Sequence, residues 1–306
     1  MAFKLSATQL PLFSSFNTAM QYYNPAYSGM ENKFSLAYNQ SLKRLEFHKV
    51  NLHGGTLYAD PFDNAHYFNV IVSTPLRLKD KSNSGIGLMY TRNNDGLYQS
   101  SDNFAINFSH PITQLKNGDI RLGLSGSYTQ FEFEMSKFNQ MNPFQPDNFK
   151  DFKNNTFNYT IGLMFKNDSN TFNCGVSLMN ARAVEFSAYT NDQKVEMLYQ
   201  VIPHFTCNAS LVSELSEKWS IQNSFIATVQ AMNVRKKDLM LQSIVYYRSL
   251  GLGVQFYSSV PKIGPTLAYK KTRFEMSYTY LYDFYLKWGV VGIHQLGLKY
   301  CFNSPK

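Results

Sequence analysis

Glu132 and Glu134 stand at i and i+2 in an alternating stretch, so a strand there puts both carboxylates on one face. Paired carboxylates can divide acid and base roles in a hydrolysis. No third group is placed to orient this pair, so the plainer reading is lumen or rim charge. His48, His53, His66, His110, His204 and His294 form neither HxxxH nor HExxH, and His48 and His53 lie five apart in a loop. Cys174, Cys207 and Cys301 are odd in number and widely spaced, without a disulfide framework or metal motif, and read as small packing residues. Gly85-Ile86-Gly87 and Gly251-Leu252-Gly253 lack the context of a phosphate loop and read as strand glycines leaving room on a lumen face. Gly123-Leu124-Ser125-Gly126 lacks the spacing of a nucleophile elbow. The expectation is a protein that is not an enzyme, with no catalytic residues, bound metal or cofactor.

The elements that carry these residues are strands. From residue 33 onward, apolar and polar residues alternate with period two. Phe104, Ile106 and Phe108 alternate with Asn103, Ala105, Asn107 and Ser109. Phe157, Tyr159, Ile161, Leu163 and Phe165 oppose Asn158, Thr160 and Gly162. Leu296, Leu298, Tyr300 and Phe302 oppose Gln295, Gly297 and Lys299. Continued along the chain, the pattern predicts about 14 strands of roughly 9–12 residues, the length of tilted membrane-spanning strands. One face is apolar and ends in Tyr or Phe, as an interfacial girdle requires; the other holds Ser, Thr, Asn, Gln and Gly, suited to a lumen. Turns at 116–119 and 166–170 are tight, whereas 44–64, 134–154 and 183–199 are long. A soluble sandwich would bury its apolar faces against each other and blunt its edges. Here the prolines fall mostly in loops or at strand margins (Pro61, Pro111, Pro143, Pro146, Pro261), and closure into a barrel removes edges altogether.

Composition agrees. The chain has 306 residues, 21 Tyr and 25 Phe, and only 16% charged residues. Ordinary soluble domains carry about 25% charge. Mean hydropathy is −0.31 and no apolar run has the length of a spanning helix. The net charge of +8 is scattered over pairs and triplets at strand ends and turns, which suits anionic headgroups or water better than a nucleic-acid groove. MAFKLSATQL holds no signal-peptide apolar region, so a membrane-crossing reading expects a mature or trimmed chain without its signal peptide.

Two segments stand outside the strand pattern. QYYNPAYSGM (21–30) is rich in tyrosine and broken by Pro25 and Gly29. Proline fixes its own φ and holds Asn24 extended, and glycine allows a turn. Placed before the first strand, such a bent segment is expected to tuck its tyrosines into a polar lumen as a plug or inner brace, with Tyr23, Asn24, Pro25, Tyr27 and Gly29 at its centre. The expected division is therefore 1–32, an irregular plug or brace segment, and 33–306, a single all-β transmembrane antiparallel barrel. The second segment, 134–154, carries Met135, Phe138, Met141, Phe144 and Phe149 among turn formers. Apolar side chains so placed mark a partner site or fold back on the barrel mouth. Phe138, Phe144 and Phe149 are the expected partner-binding residues.

Several motifs occur together in order: Pro11-Leu12-Phe13-Ser14, Tyr23-Asn24-Pro25-Ala26-Tyr27-Ser28-Gly29, Gly85-Ile86-Gly87-Leu88 before Asn93-Asn94-Asp95, and Arg121-Leu122-Gly123-Leu124-Ser125-Gly126 before Met135-Ser136-Lys137. Tyr278-Thr279-Tyr280 and Gly292-Ile293-His294-Gln295-Leu296 follow near the end. In this order they resemble the PorP/SprF family, outer-membrane barrels of the type IX secretion and gliding motility machinery of Bacteroidetes. The resemblance implies an outer-membrane location in contact with lipid and lipopolysaccharide, and a role in protein secretion. It also implies pairing with a secreted surface protein through a C-terminal sorting domain, or with other periplasmic or outer-membrane secretion components. No nucleic-acid partner is expected. From the residues alone, a diffusion channel or solute transporter with a polar lumen remains the alternative.

Overall fold

The computed structural model describes residues 16–45, 50–52, 55–57, 65–77, 83–94, 99–134, 151–190, 193–231, 233–258, 261–283 and 290–302. The alternating segments form strands β1 (Ser35–Leu45), β2 (Val50–Leu52), β3 (Gly55–Leu57), β4 (Ala65–Arg77), β5 (Asn83–Asn94) and β6 (Gln99–Leu115). Then come β7 (Gly118–Phe133), β8 (Phe152–Asn167), β9 (Phe172–Met179), β10 (Val184–Thr190), β11 (Gln193–Val201) and β12 (His204–Glu214). The series ends with β13 (Trp219–Gln230), β14 (Asn233–Tyr247), β15 (Leu250–Tyr257), β16 (Lys262–Lys271), β17 (Phe274–Asp283) and β18 (Val290–Cys301).

Fourteen strands close into one antiparallel barrel in the order β1-β18-β17-β16-β15-β14-β13-β12-β9-β8-β7-β6-β5-β4. Closure pairs the first strand with the last, Ser35 opposite Cys301 and Leu42 opposite His294, so no edge is left in the sheet. The remaining strands lie outside the wall as two hairpins, β2–β3 and β10–β11. The segments 44–64 and 183–199, expected as plain loops, thus carry hairpins. The base of the second is held to the wall: Arg182 N donates to Asn158 Oδ1 at 3.1 Å and Asn158 Nδ2 donates to Arg182 O at 2.8 Å.

Alternation along each strand sorts side chains by solvent. Phe157 is 68% exposed, while Asn158, the next residue, is 6% exposed. Leu88, Ile106, Leu163, Leu252 and Leu267 face out the same way, and Asn39, Asn69, Asn107, Asn208 and Gln255 face in. In water such an apolar exterior would be a very large exposed patch; in lipid it is the required surface. Outer-face aromatics gather near both ends, with Tyr90 and Phe104 at 4.8 Å and Tyr128 and Phe157 at 5.0 Å toward one, and Trp219 and Tyr247 at 4.9 Å and Phe34 and Phe302 at 5.1 Å toward the other. These are interfacial girdles. No helix among the described residues is long and apolar enough to cross a membrane; the chain crosses with strands.

Strand direction puts the connections after β4, β6, β8, β12, β14 and β16 at one end of the barrel, and those after β1, β5, β7, β9, β13, β15 and β17 at the other. The three longest stretches between wall strands, β1 to β4, β7 to β8 and β9 to β12, all fall at the second end beside shorter ones, as in the outer-membrane arrangement. Pro111, read from sequence as a loop or margin residue, sits inside β6. The β6–β7 register shifts between Pro111 and Thr113, the irregularity that accommodates a residue with no N–H to give the ladder.

Candidate functional site

Immediately before β1 the chain turns into the barrel. Phe16, Ala19, Met20 and Tyr23 recur at i, i+3, i+4 and i+7, one helical stripe. They form α1 (Phe16–Tyr23), where an irregular segment was expected. The stripe packs on Met179, Ile226, Met240 and Tyr257 from β9, β13, β14 and β15. Tyr22, across the helix, packs on Ala37, Ile71, Met89 and Ala105 from β1, β4, β5 and β6. The Tyr22 and Tyr23 rings meet edge to face, with centroids 5.1 Å apart. The helix therefore spans the lumen from wall to wall.

Pro25 ends α1, because the residue before a proline is held out of helical geometry. Asn24 is extended, with φ −146° and ψ 111°, and caps a short 3-10 turn (Pro25–Tyr27); its Oδ1 accepts from Ala26 N at 3.0 Å. Its Nδ2 donates to the wall carbonyls Leu163 O at 3.1 Å and Val176 O at 3.4 Å. Gly29 then turns the chain at φ +66°, a conformation that suits a residue without Cβ.

The wall opposite is built for close approach. Side chains added at Gly85, Gly87, Gly123, Gly162 and Gly175 would run into Gln21, Asn24, Ala26, Ser28 or Gly29. Wall side chains also hold the segment's main chain. Ser177 Oγ donates to Tyr23 O at 2.6 Å, Ser109 Oγ to Ser28 O at 2.5 Å, and Lys166 Nζ to Met30 O at 3.0 Å; Gly29 N donates to Ser73 Oγ at 2.7 Å. The Tyr27 hydroxyl donates to Asn173 and accepts from Asn208 Nδ2 at 3.3 Å. Burial pushes the Tyr27 phenol well above its ordinary range, so it stays a neutral donor.

At the short-turn end, Glu31 pairs with the Lys299 ammonium of β18 and accepts from Cys301 Sγ at 3.1 Å. Burial works against its charge, but Lys299 together with Cys301 and Lys270 holds the carboxyl below the usual carboxylate range. Cys301 is thus more than the packing residue expected from sequence.

Tyr23, Asn24, Pro25, Tyr27 and Gly29 come together inside the barrel. Phe138, Phe144 and Phe149 lie outside the described residues. Glu132 faces outward near the long-loop rim, 2.8 Å from Lys153, and Glu134 follows the end of β7. Among the described residues no group of three or more His, Cys, Asp or Glu could hold a metal ion. Sequence reasoning missed Ser73, Ser109, Lys166, Ser177, Glu31 and Lys299. The one available signal was the recurrence of glycine at inward positions of successive strands.

A family model described as type IX secretion system membrane protein PorP/SprF matches residues 5–300. The chain belongs to that family. With the barrel fold, membership of PorP/SprF makes it an outer-membrane β-barrel of the type IX secretion system. No individual curated protein matches the sequence. Among solved structures it is similar to the Ralstonia pickettii toluene transporter TbuX, at 10% identity over 94% of each chain with a TM-score of 0.52. It is likewise similar to a Pseudomonas aeruginosa FadL homologue, at 10% identity over 94% of each chain with a TM-score of 0.53. At such identity the likeness is one of fold.

Proposed function

We propose that this PorP/SprF protein is a non-enzymatic, plugged barrel. It binds a secreted surface protein through that protein's C-terminal sorting domain, or other secretion components, and so supports export and attachment at the cell surface. In this reading residues 1–32 are the plug or brace, residues 33–306 are the barrel in outer-membrane lipid and lipopolysaccharide, and Phe138, Phe144 and Phe149 contact the partner. The observation that carries it is the wall-to-wall packing of α1, with Tyr22 on one side and Tyr23 on the other. A lumen filled at that height leaves the rims and loops as the surface that meets other molecules. Carboxylate catalysis gains no support from Glu132, which is engaged by Lys153 on the outer face.

Isolation from native membranes tests the reading. Wild-type barrel is expected to bring down a protein with a C-terminal sorting domain or another secretion component, and the triple change Phe138→Ser, Phe144→Ser, Phe149→Ser to lose it while the barrel still folds. A barrel that emerges alone contradicts the proposal.

The second reading, a diffusion channel, draws on the inward polar groups, such as Gln255 Nε2 donating to Gln295 Oε1 at 3.3 Å and Gln242 Nε2 donating to Gln255 Oε1 at 3.1 Å. Steady conductance of the wild-type protein in a planar bilayer would favour it, and silence favours the plugged barrel.

A further inference from the structure

The contacts of residues 23–30 are those of a bound peptide. The segment pairs with no strand; among the described residues the β1 ladders begin at Ser35. Six successive barrel strands hold it instead, through Ser73 of β4, Gly85 of β5, Ser109 of β6, Gly123 of β7, Lys166 of β8 and Ser177 of β9. Ser109, Lys166 and Ser177 donate to main-chain carbonyls of the segment, and Ser73 accepts from the Gly29 N–H. Main-chain recognition over a surface cleared of Cβ atoms is how proteins bind extended polypeptide, and here the Asn24 amide and Tyr27 hydroxyl add side-chain selectivity.

The match is also incomplete. Gln21 Nε2 of α1 and Ser28 Oγ of the segment, and Asn107 Nδ2 and Asn208 Oδ1 on the wall, are buried and have no hydrogen-bond partner among the described residues. Asn107 is 1% exposed and Asn208 0%. Gln21 and Ser28 lie over Gly87, whose neighbour across the ladder is Asn107. Unpaired buried polar groups weaken the hold on whatever occupies the site.

We propose that the inner wall of β4–β9 is a peptide-binding site, filled in cis by the chain's own residues 23–30 and able to take a polypeptide segment of the same kind in trans. Its ligand class is a polypeptide main chain bent at an Asn-Pro step, with small or tyrosine side chains beyond it. The tether through residues 31–34 gives the cis segment a high effective concentration, so a trans ligand enters when the cis hold is weakened. The site does not depend on which export partner the loops bind.

The test uses a fluorescent synthetic peptide of residues 16–32, FNTAMQYYNPAYSGMEN, and the full-length protein in detergent, with heat-modifiable gel migration as the control for folding. Asn24→Ala weakens the cis segment and leaves the wall intact. Saturable binding of the peptide to Asn24→Ala is expected, at least tenfold weaker to wild type and at least tenfold weaker when Gly123→Val is added on the wall. A scrambled peptide of the same composition is expected not to bind. If Asn24→Ala fails to fold, Gly29→Val serves, since it strains the cis segment at its positive φ. Absence of saturable binding to a folded cis-weakened barrel, or equal binding of the scrambled peptide, overturns the proposal. Loss of the export partner in native isolation leaves this readout unchanged, so the two failures are distinguishable.

Discussion

Asn24→Ala is the sharpest perturbation of the proposed plug. Asn24 is 0% exposed, and its amide works in two directions. Its Oδ1 accepts from Ala26 N, and its Nδ2 donates to Leu163 O and Val176 O. Alanine leaves a buried N–H without its acceptor, a loss of about 1–3 kcal/mol. It also removes the donations to the wall, roughly 0.5–1.5 kcal/mol for a hydrogen bond of ordinary geometry. The seated plug then loses about 2–4 kcal/mol, and at 1.4 kcal/mol per tenfold the seated-to-released ratio falls roughly 30- to 1,000-fold. The assay is planar-bilayer conductance of protein whose folding is verified by heat-modifiable migration. Wild type is expected to be silent and Asn24→Ala to open in bursts. Asn24→Asp keeps the acceptor for Ala26 but turns a carboxylate oxygen toward two carbonyls in a buried site, so it is expected to open at least as often. A folded, silent Asn24→Ala barrel with unchanged melting would refute the reasoning. An Asn24→Asp barrel that behaves as wild type would refute the wall contacts and leave only the cap.

Three further outcomes follow. The folded-state pKa of Glu31 is depressed, so its pairing with Lys299 contributes stability above the ordinary glutamate pKa of about 4.3, and that stability is lost as pH falls through the folded value. Melting in detergent between pH 7 and pH 3 is expected to show this acid-side loss, and Glu31→Gln to flatten it; identical profiles would contradict the pairing. Met20→Ala, in the cluster with Met179, Ile226 and Met240, is expected to cost the plug about 2–5 kcal/mol and raise conductance while the barrel keeps its heat-modifiable migration. Ile106→Lys, on the lipid face at mid-strand, is expected to destabilise the barrel by roughly 2–4 kcal/mol in refolding titrations. An unchanged midpoint would contradict the assigned orientation.

The wall was legible because its signal is local. Phe157 out and Asn158 in is written in two adjacent residues, and the same rule repeats along every barrel strand. The segment inside the barrel was partly legible. Pro25 and Gly29 announced a bend and the tyrosines an interior, but α1 was not foreseen, because eight residues, two of them tyrosine, carry little intrinsic helical signal and the helix is held by its stripe against Met179 and Met240. The hairpin β2–β3 was hidden because strands of three residues are too short to show a period, and β10–β11 because the segment 183–199 was read as a loop despite its alternating Val184, Phe186 and Ala188. Pro111 misled because proline is read as a breaker, and only the partner strand reveals a register shift. The pairing of Glu31 with Lys299 depends on closure of β1 on β18, which no stretch of either sequence states alone.

The claim that this is a protein-handling barrel of the secretion system is tested most directly in the cell that makes it. Surface and medium fractions of strains lacking or expressing the protein would be compared by quantitative mass spectrometry for proteins with a C-terminal sorting domain. The account predicts that at least one such protein leaves the cell surface when the barrel is removed and returns when it is restored. An unchanged surface and medium proteome, with only small-solute uptake altered, would contradict it.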